Sequence, residues 1–365
     1  MMNKKFSILE IKNFLKKKGF VINKKKEKEK KKNSFGSLLR TLLTSLIIIL
    51  VFFITPLVID LTKQRMIFSK DFENNSKKNL KKLIDNELNK KFLFDDVLQL
   101  NEQPTDTVRL SASTIEELFK STDYNLDDVR KNKLVKPISL TLLPKEIRKI
   151  ENIKKRKELF IQIILPLVIK ENNNIKSDRS KLFSILNKNQ NTKKENNWLN
   201  SKFNQYGVVN KDLSTLKIRM DEVPVSMAIA QAAKETGWGT SRFAQEGNAL
   251  FGQWTWTGEG IKPAGADNNS THKVMKFKVL QASIKAYQRN LNTHSTYKNF
   301  RSARAQLRDN GQKLDSVILA EHLDKYAETG KLYVKILQQI IRQNNLEDFD
   351  DAKLLPTSID LESLI

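Results

Sequence analysis

Between Gln231 and Gln253 the chain reads QAAKETGWGTSRFAQEGNALFGQ, and one carboxylate in it, Glu235, stands two residues ahead of a glycine. Pro224 suits the first turn of a helix, Asp221 lies just upstream, and Ile229, Ala232 and Ala233 form an apolar stripe. Gly237 and Gly239 then stop that helix. Glu235 therefore falls in the last turn, where the negative end of the macrodipole opposes a negative charge. That position, with burial beside Trp238, predicts a carboxyl that stays protonated to higher pH than usual. Such a carboxyl can act as a general acid on a glycosidic oxygen. The same residue also fits a solvent-facing charge paired with Lys234 or Arg242, and position alone leaves both readings open.

The surroundings of Glu235 are unusual. Seven of the 12 glycines and three of the four tryptophans fall between Gly237 and Gly265. Glycines allow sharp turns and close backbone approach, and indoles offer flat apolar faces, so the segment fits an irregular aromatic cleft as well as it fits a tight structural turn. Other chemistries lack their residues. There is no cysteine, and the three histidines (His272, His294, His322) are scattered, which argues against thiolate or clustered-histidine metal sites. No G-x-S-x-G, P-loop or H-E-x-x-H motif occurs. Neither a metal nor an organic cofactor is expected.

The run VPVSMAIAQAAKETGWGTSRFAQEGNALFGQW resembles the signature of the bacterial glucosaminidase superfamily, peptidoglycan hydrolases with a lysozyme-like helical fold. The matching residues are Glu235, Gly237, Trp238, Gly239, Asn248, Leu250, Phe251 and Gly252. Downstream, SIKAYQRNLNTHSTYKNFRSAR and LDKYAETGKLYVKILQQII resemble the later helices of the family. Upstream, RKELFIQIILPLVIKEN extends the likeness toward its Bax-type group, so that it covers roughly residues 111–345. The resemblance implies that Glu235 is the general acid and that Tyr326 lies near the cleaved bond. The sequence Tyr326-Ala-Glu-Thr departs from the Tyr-Ala-Thr-Asp usual in the superfamily, and a core tyrosine is the competing reading. Sugar contacts are expected from Trp238, Asn248, Phe251, Gln253, Trp254 and Trp256. The second catalytic group is expected to be Glu259, in a flexible β-hairpin lobe, with Asp267 as runner-up. The N-acetyl group of the substrate can also replace a protein carboxylate, so inverting, retaining and substrate-assisted routes all stay open. A lytic transglycosylase and a non-catalytic wall-binding scaffold share the same residues and are the alternatives.

These residues need helices to hold them, and helical periodicity recurs at Val223–Thr236, Leu280–Leu291, Tyr297–Leu307, Leu314–Lys325 and Tyr333–Asn344. Strand signal is confined to Ala249–Thr257 and Lys273–Val279. The expected class is mainly α, a lysozyme-like helical domain with a small β-hairpin lobe, preceded by a single transmembrane helix. The run Leu159–Ile169 is too short for a bilayer and reads as a buried helix kinked by Pro166, whereas Lys188–Asn197 reads as a surface loop.

The net charge of +24 is unevenly spread: residues 1–40 hold 14 Lys/Arg against three Glu. The 19 uncharged residues Thr41–Ile59 follow directly, long enough to span most of a ~30 Å hydrocarbon core. A basic N-terminal flank predicts a cytoplasmic tail and an exported remainder. The lysine run then contacts lipid headgroups, and nucleic acid is not the expected partner. The predicted organisation is a basic tail (1–40), an anchor (41–60) and a stalk (61–110). A helical region (111–200) follows and packs on the glucosaminidase-like domain (201–346), and an acidic flexible tail (347–365) ends the chain. The whole reads as an inner-membrane, single-pass protein with its catalytic domain in the periplasm, acting on peptidoglycan glycan strands.

Overall fold

The computed structural model describes residues 93–97, 99–100, 108–255, 260–262 and 273–356, and the expected tail, anchor and most of the stalk lie outside them. Among the described residues no helix is long and apolar enough to cross a membrane. They form a mainly helical structure with very short strands.

The organising element is α3 (Ile153–Leu186), which follows α1 (Ala112–Ser121), α2 (Leu126–Asn132) and a two-residue strand β1 (Leu134–Val135). Asn152 caps α3 by accepting from the Lys155 amide. Leu159 to Ile169 are buried apart from the partly exposed Gln162, the pattern of a core helix rather than an amphipathic one, and Pro166 lies within the helix. Beyond this run only Glu171, Asn172, Ile175, Leu182 and Ile185 are buried, and the far end of α3 packs with α4 (Lys193–Gln205) and α5 (Leu213–Arg219) around a satellite core.

The expected loop 188–197 is half right. Thr192 and Glu195 build a capping box, so helix α4 begins at Lys193.

Against the apolar stretch of α3 lies α6 (Val225–Thr236), the helix ending at Glu235 and Thr236. Its alanines let neighbouring backbones approach, and Val225 through Ala233 are all buried. Next come α7 (Arg242–Gly247) and a three-stranded antiparallel lobe, β2 (Trp254–Thr255), β3 (Gly260–Ile261) and β4 (Lys273–Met275), ordered β2-β4-β3. Helices α8 (Leu280–Thr293), α9 (Lys298–Asp309), α10 (Ser316–Ala320) and α11 (Lys331–Gln343) complete the core. The strand signal at Ala249–Gln253 is overturned: those residues form a loop entering the lobe. The expected helix 314–325 is a short α10 followed by a 3-10 turn, Glu321–Leu323.

Both ends of the described chain correct the sequence reading. Residues 93–100, assigned to the stalk, include helical residues that pack on α8. Val97 sits with Phe277, Val279, Ala282 and Ala286, and Arg289 donates to Asp96 and to the Leu93 carbonyl. Residues 347–356, assigned to the start of a flexible tail, instead complete a 3-10 turn (Leu346–Phe349) and form strand β5 (Lys353–Leu354), which pairs parallel with β1. The acidic composition suggested solvation, but Leu346 and Phe349 are fully buried and anchor the segment.

One of those acids has a specific task. Pro224, at the start of α6, has no side-chain oxygen to cap the helix, and Asp350 supplies it, accepting from the Ser226 amide (2.8 Å) and hydroxyl (2.7 Å). Burial pushes the Asp350 carboxyl up to about 6 despite those bonds. An acid raised on folding stabilises most below its unfolded value and loses that contribution as pH climbs through the folded one. In Asp350→Asn the amide oxygen still accepts from Ser226 N–H and the amide nitrogen can donate to the hydroxyl. Thermal melts from pH 4 to pH 7 should therefore show wild type losing roughly 1–3 kcal/mol relative to this variant as pH rises. Parallel curves would remove Asp350 as the cause.

Candidate active site

Glu235 occupies the last turn of α6, and Gly237 closes the helix in a left-handed conformation (φ 57°) with its amide bonded to the Ala233 carbonyl. Trp238, unusually for a non-glycine residue, is also left-handed (φ 60°). Gly239 (φ 84°) is held so close to α3 that an added Cβ would come 3.0 Å from Phe160. The turn after Glu235 is thus clamped on the core, which fixes the direction in which the carboxylate leaves the helix.

The Glu235 carboxyl is half-buried among tyrosines. Its pKa is raised, chiefly by burial, and partly offset by a hydrogen bond with Tyr333 and by the charge of Lys234. Tyr297, from the 3-10 turn Ser295–Tyr297, is raised to about 12 by burial, against a hydrogen bond with Asn290, and lies within electrostatic reach of Glu235. Tyr326 is stacked on Tyr333 with ring centroids 5.4 Å apart, and its hydroxyl donates to the Phe251 carbonyl at 2.9 Å. Four of the six tyrosines, Tyr287, Tyr297, Tyr326 and Tyr333, therefore converge on one region. The ordinary surface pairing with Arg242 does not occur: Arg242 faces Glu246 and the Lys262 carbonyl.

The loop Asn248–Gln253 forms the opposite wall. At Gly252 (φ 62°) an ideal Cβ would lie 3.3 Å from Glu235 Oε2, so the backbone itself borders the acid. Gly252→Ala combines left-handed strain of about 1–2 kcal/mol with pressure on the carboxylate. We expect a reaction that uses Glu235 to slow about ten- to a hundredfold while the melting temperature drops only a few degrees. Activity kept at wild-type level would show that the close approach has no catalytic consequence.

The predicted sugar contacts divide. Trp254, in β2 of the lobe, is 47% exposed. Gln253 is half-buried, its carbonyl taken by the Met275 amide. Trp238 is half-buried, edge-on to Phe160 and under the Lys157 ammonium, which leaves only part of the ring available.

Two assignments are corrected. Phe251 is 2% exposed and stacked flat on Tyr287 (3.8 Å, 7°), so it backs the wall rather than lining the cleft. Asn248 is buried with its amide donating to the Phe277 and Lys278 carbonyls, tying the loop to the segment after β4. Trp256, Glu259 and Asp267 lie outside the described residues. Sequence reasoning missed Gln231, Tyr287, Tyr297 and Tyr333. The four-residue spacing of Gln231 and Glu235, which puts both on one helix face, was the available signal.

Comparison with known proteins follows the same residues. Residues 211–346 match the glucosaminidase family, described as mannosyl-glycoprotein endo-beta-N-acetylglucosaminidase. The chain is 31% identical over 205 residues to Protein bax of Escherichia coli (strain K12), a match spanning 54% of this chain and 73% of that protein. No solved structure is significantly similar.

Proposed function

This chain belongs to the Bax-type glucosaminidase family and is a glycoside hydrolase-type enzyme, and from that premise we propose that it is an endo-β-N-acetylglucosaminidase of peptidoglycan with Glu235 as its general acid. The observation that carries the mechanism is a carboxyl at a helix C-terminus, half-buried among tyrosines, with its pKa raised by burial. In that state it holds a proton at pH values where an exposed glutamate has lost it, and it can deliver that proton to the departing glycosidic oxygen. Trp254 offers a sugar-stacking face, and the backbone at Gly252 keeps the acid against the cleft wall.

We read the fold as lysozyme-like and the run Thr41–Ile59 as an anchor that leaves the tail in the cytoplasm and the enzyme in the periplasm. An excess of positive charge suits an anionic wall polymer. Glu259 is the carboxylate proposed for the far side of the sugar. Purified peptidoglycan digested with the protein should yield fragments with reducing N-acetylglucosamine ends on mass spectrometry. Anhydro-sugar ends would replace the hydrolase with a transglycosylase, and no fragments would leave a wall-binding protein. Glu259→Gln should lose activity too; full retention would assign the second role to the substrate's N-acetyl group.

A further inference from the structure

Between α6, α8 and α11 lies a buried polar chain that general acid chemistry does not by itself require. Tyr287 and Gln231 are completely buried, and Tyr333 is 1% exposed. The Tyr287 hydroxyl donates to Gln231 Oε1 at 2.6 Å, and Gln231 Nε2 donates to the Tyr333 hydroxyl at 3.0 Å. A carboxamide has an acceptor at one end and donors at the other. With its oxygen turned to Tyr287, its NH2 must face Tyr333. The Tyr333 oxygen already receives a hydrogen bond there, which leaves its own proton for the neighbouring Glu235 carboxyl, the group with which it interacts electrostatically. The donors run one way, from Tyr287 through Gln231 and Tyr333 to Glu235.

Two ring stacks hold the chain in place. Phe251 lies flat on Tyr287, and Tyr326 lies parallel to Tyr333 (9° between planes), so neither phenol can swing to another acceptor without opening the core. Apart from Ser226, Gln231 and Thr236, the buried residues of α6 are apolar, and the buried amide of Gln231 among them costs free energy unless both its ends are bonded. An aliphatic residue at 231 would pack there without that requirement. Gln231 also sits one turn below Glu235 on the same face.

We propose that Gln231 is a positioning residue for the reaction, orienting the Tyr333 hydroxyl as a fixed donor to Glu235 and thereby holding the acid's carboxyl toward the cleft in a defined hydrogen-bonded state. The proposal rests on the reading of Glu235 as the general acid. The groups facing Glu235 among the described residues are Lys234 on its own helix, Tyr297 from the 3-10 turn, Tyr326 from the loop before α11, and Tyr333 on α11. Only Lys234 carries a charge at neutral pH. The directed hydroxyl favours the ionised carboxylate, so its removal leaves burial less opposed and raises the carboxyl further.

The test uses the full-length chain in four forms: Tyr333→Phe, Gln231→Met, their combination, and Tyr287→Phe, each against wild type. Two quantities are read: the alkaline limb of kcat/KM on peptidoglycan, and the Glu235 carboxyl titration followed by carbon-13 NMR, its resonance identified by its loss in Glu235→Gln. Tyr333→Phe should move both upward by about one pH unit. Gln231→Met should move them the same way, and the double variant no further than Tyr333→Phe. Tyr287→Phe frees the amide to turn its oxygen toward Tyr333, so it too should shift both upward, and it carries the test if Gln231→Met does not fold.

A carboxyl titration that moves while the rate limb stays fixed would keep the relay and remove Glu235 as the acid. Unmoved titrations in folded Tyr333→Phe and Tyr287→Phe would overturn the relay. So would additive shifts in the double variant, since Gln231 would then act by another route.

Discussion

Glu235→Gln is expected to abolish measurable peptidoglycan hydrolysis, a loss on the order of 10²–10⁴-fold in kcat, without lowering the melting temperature at neutral pH. The substitution keeps the volume and one acceptor oxygen of the side chain, and it replaces the other oxygen with an amide NH2 that has no acidic proton to transfer. Its stability effect follows from the sign of the pKa shift. Burial raises the Glu235 carboxyl, so the folded wild type resists ionisation, and its contribution to stability fades as pH rises through the raised value. The glutamine variant has nothing to ionise and should melt at or above the wild-type temperature above pH 7. A zymogram, a pH-rate profile and paired melts read all three quantities. Equal clearing by wild type and variant would sink the mechanism, and a variant that is inactive because it is unfolded would appear in the melts. Wild-type activity should fall on the alkaline side, where the acid has lost its proton.

The largest stability effect is expected far from the cleft. Arg304 in α9 is completely buried and donates to the carbonyls of Ile218 (3.0 Å), Asp221 (3.1 Å) and Glu222 (2.9 Å), the turn that leads into α6. Asp221 is itself 3% exposed and faces Arg304, Arg179 and Arg308. Burial opposes its charge, but the three guanidiniums outweigh that and hold its carboxyl below the usual range. Arg304→Met would take a donor from three carbonyls, of which that of Asp221 keeps the Asn292 amide, and weaken the compensation of a buried carboxylate, a change that typically costs about 3–5 kcal/mol. Domains of this kind hold only about 5–15 kcal/mol in total. Urea unfolding should show that loss, and a drop below about 1 kcal/mol would mean that the other two arginines suffice.

Much of this arrangement was legible in the residues. The α6 stop at Gly237, the buried run of α3 and the placement of Glu235 at a helix end all follow from local rules: glycine caps, hydrophobic run length and macrodipole sign. The failures have a shared cause. Acidic residues near Asp350 and lysine-rich residues near Asp96 read as solvated because their partners, Ser226 and Arg289, are remote in sequence. Phe251 and Asn248 looked like cleft residues because an aromatic and an amide in a glycine-rich loop can face either way. Only the positions of Tyr287 and of the Phe277–Lys278 carbonyls decide it. The tyrosine cluster was invisible for the same reason: each ring lies on a different element and none has a local partner that marks it.

The cap that Asp350 provides to α6 also has a meaning in time. Ser226 and Asp350 are 124 residues apart, and β1 must likewise wait for β5. A ribosome adds about 5–20 residues per second, so the helix bearing the acid emerges several seconds before the groups that finish its far end. Contacts of such high sequence separation form late in folding. A chain interrupted before Asp350 would carry Glu235 on a helix whose start still lacks its cap.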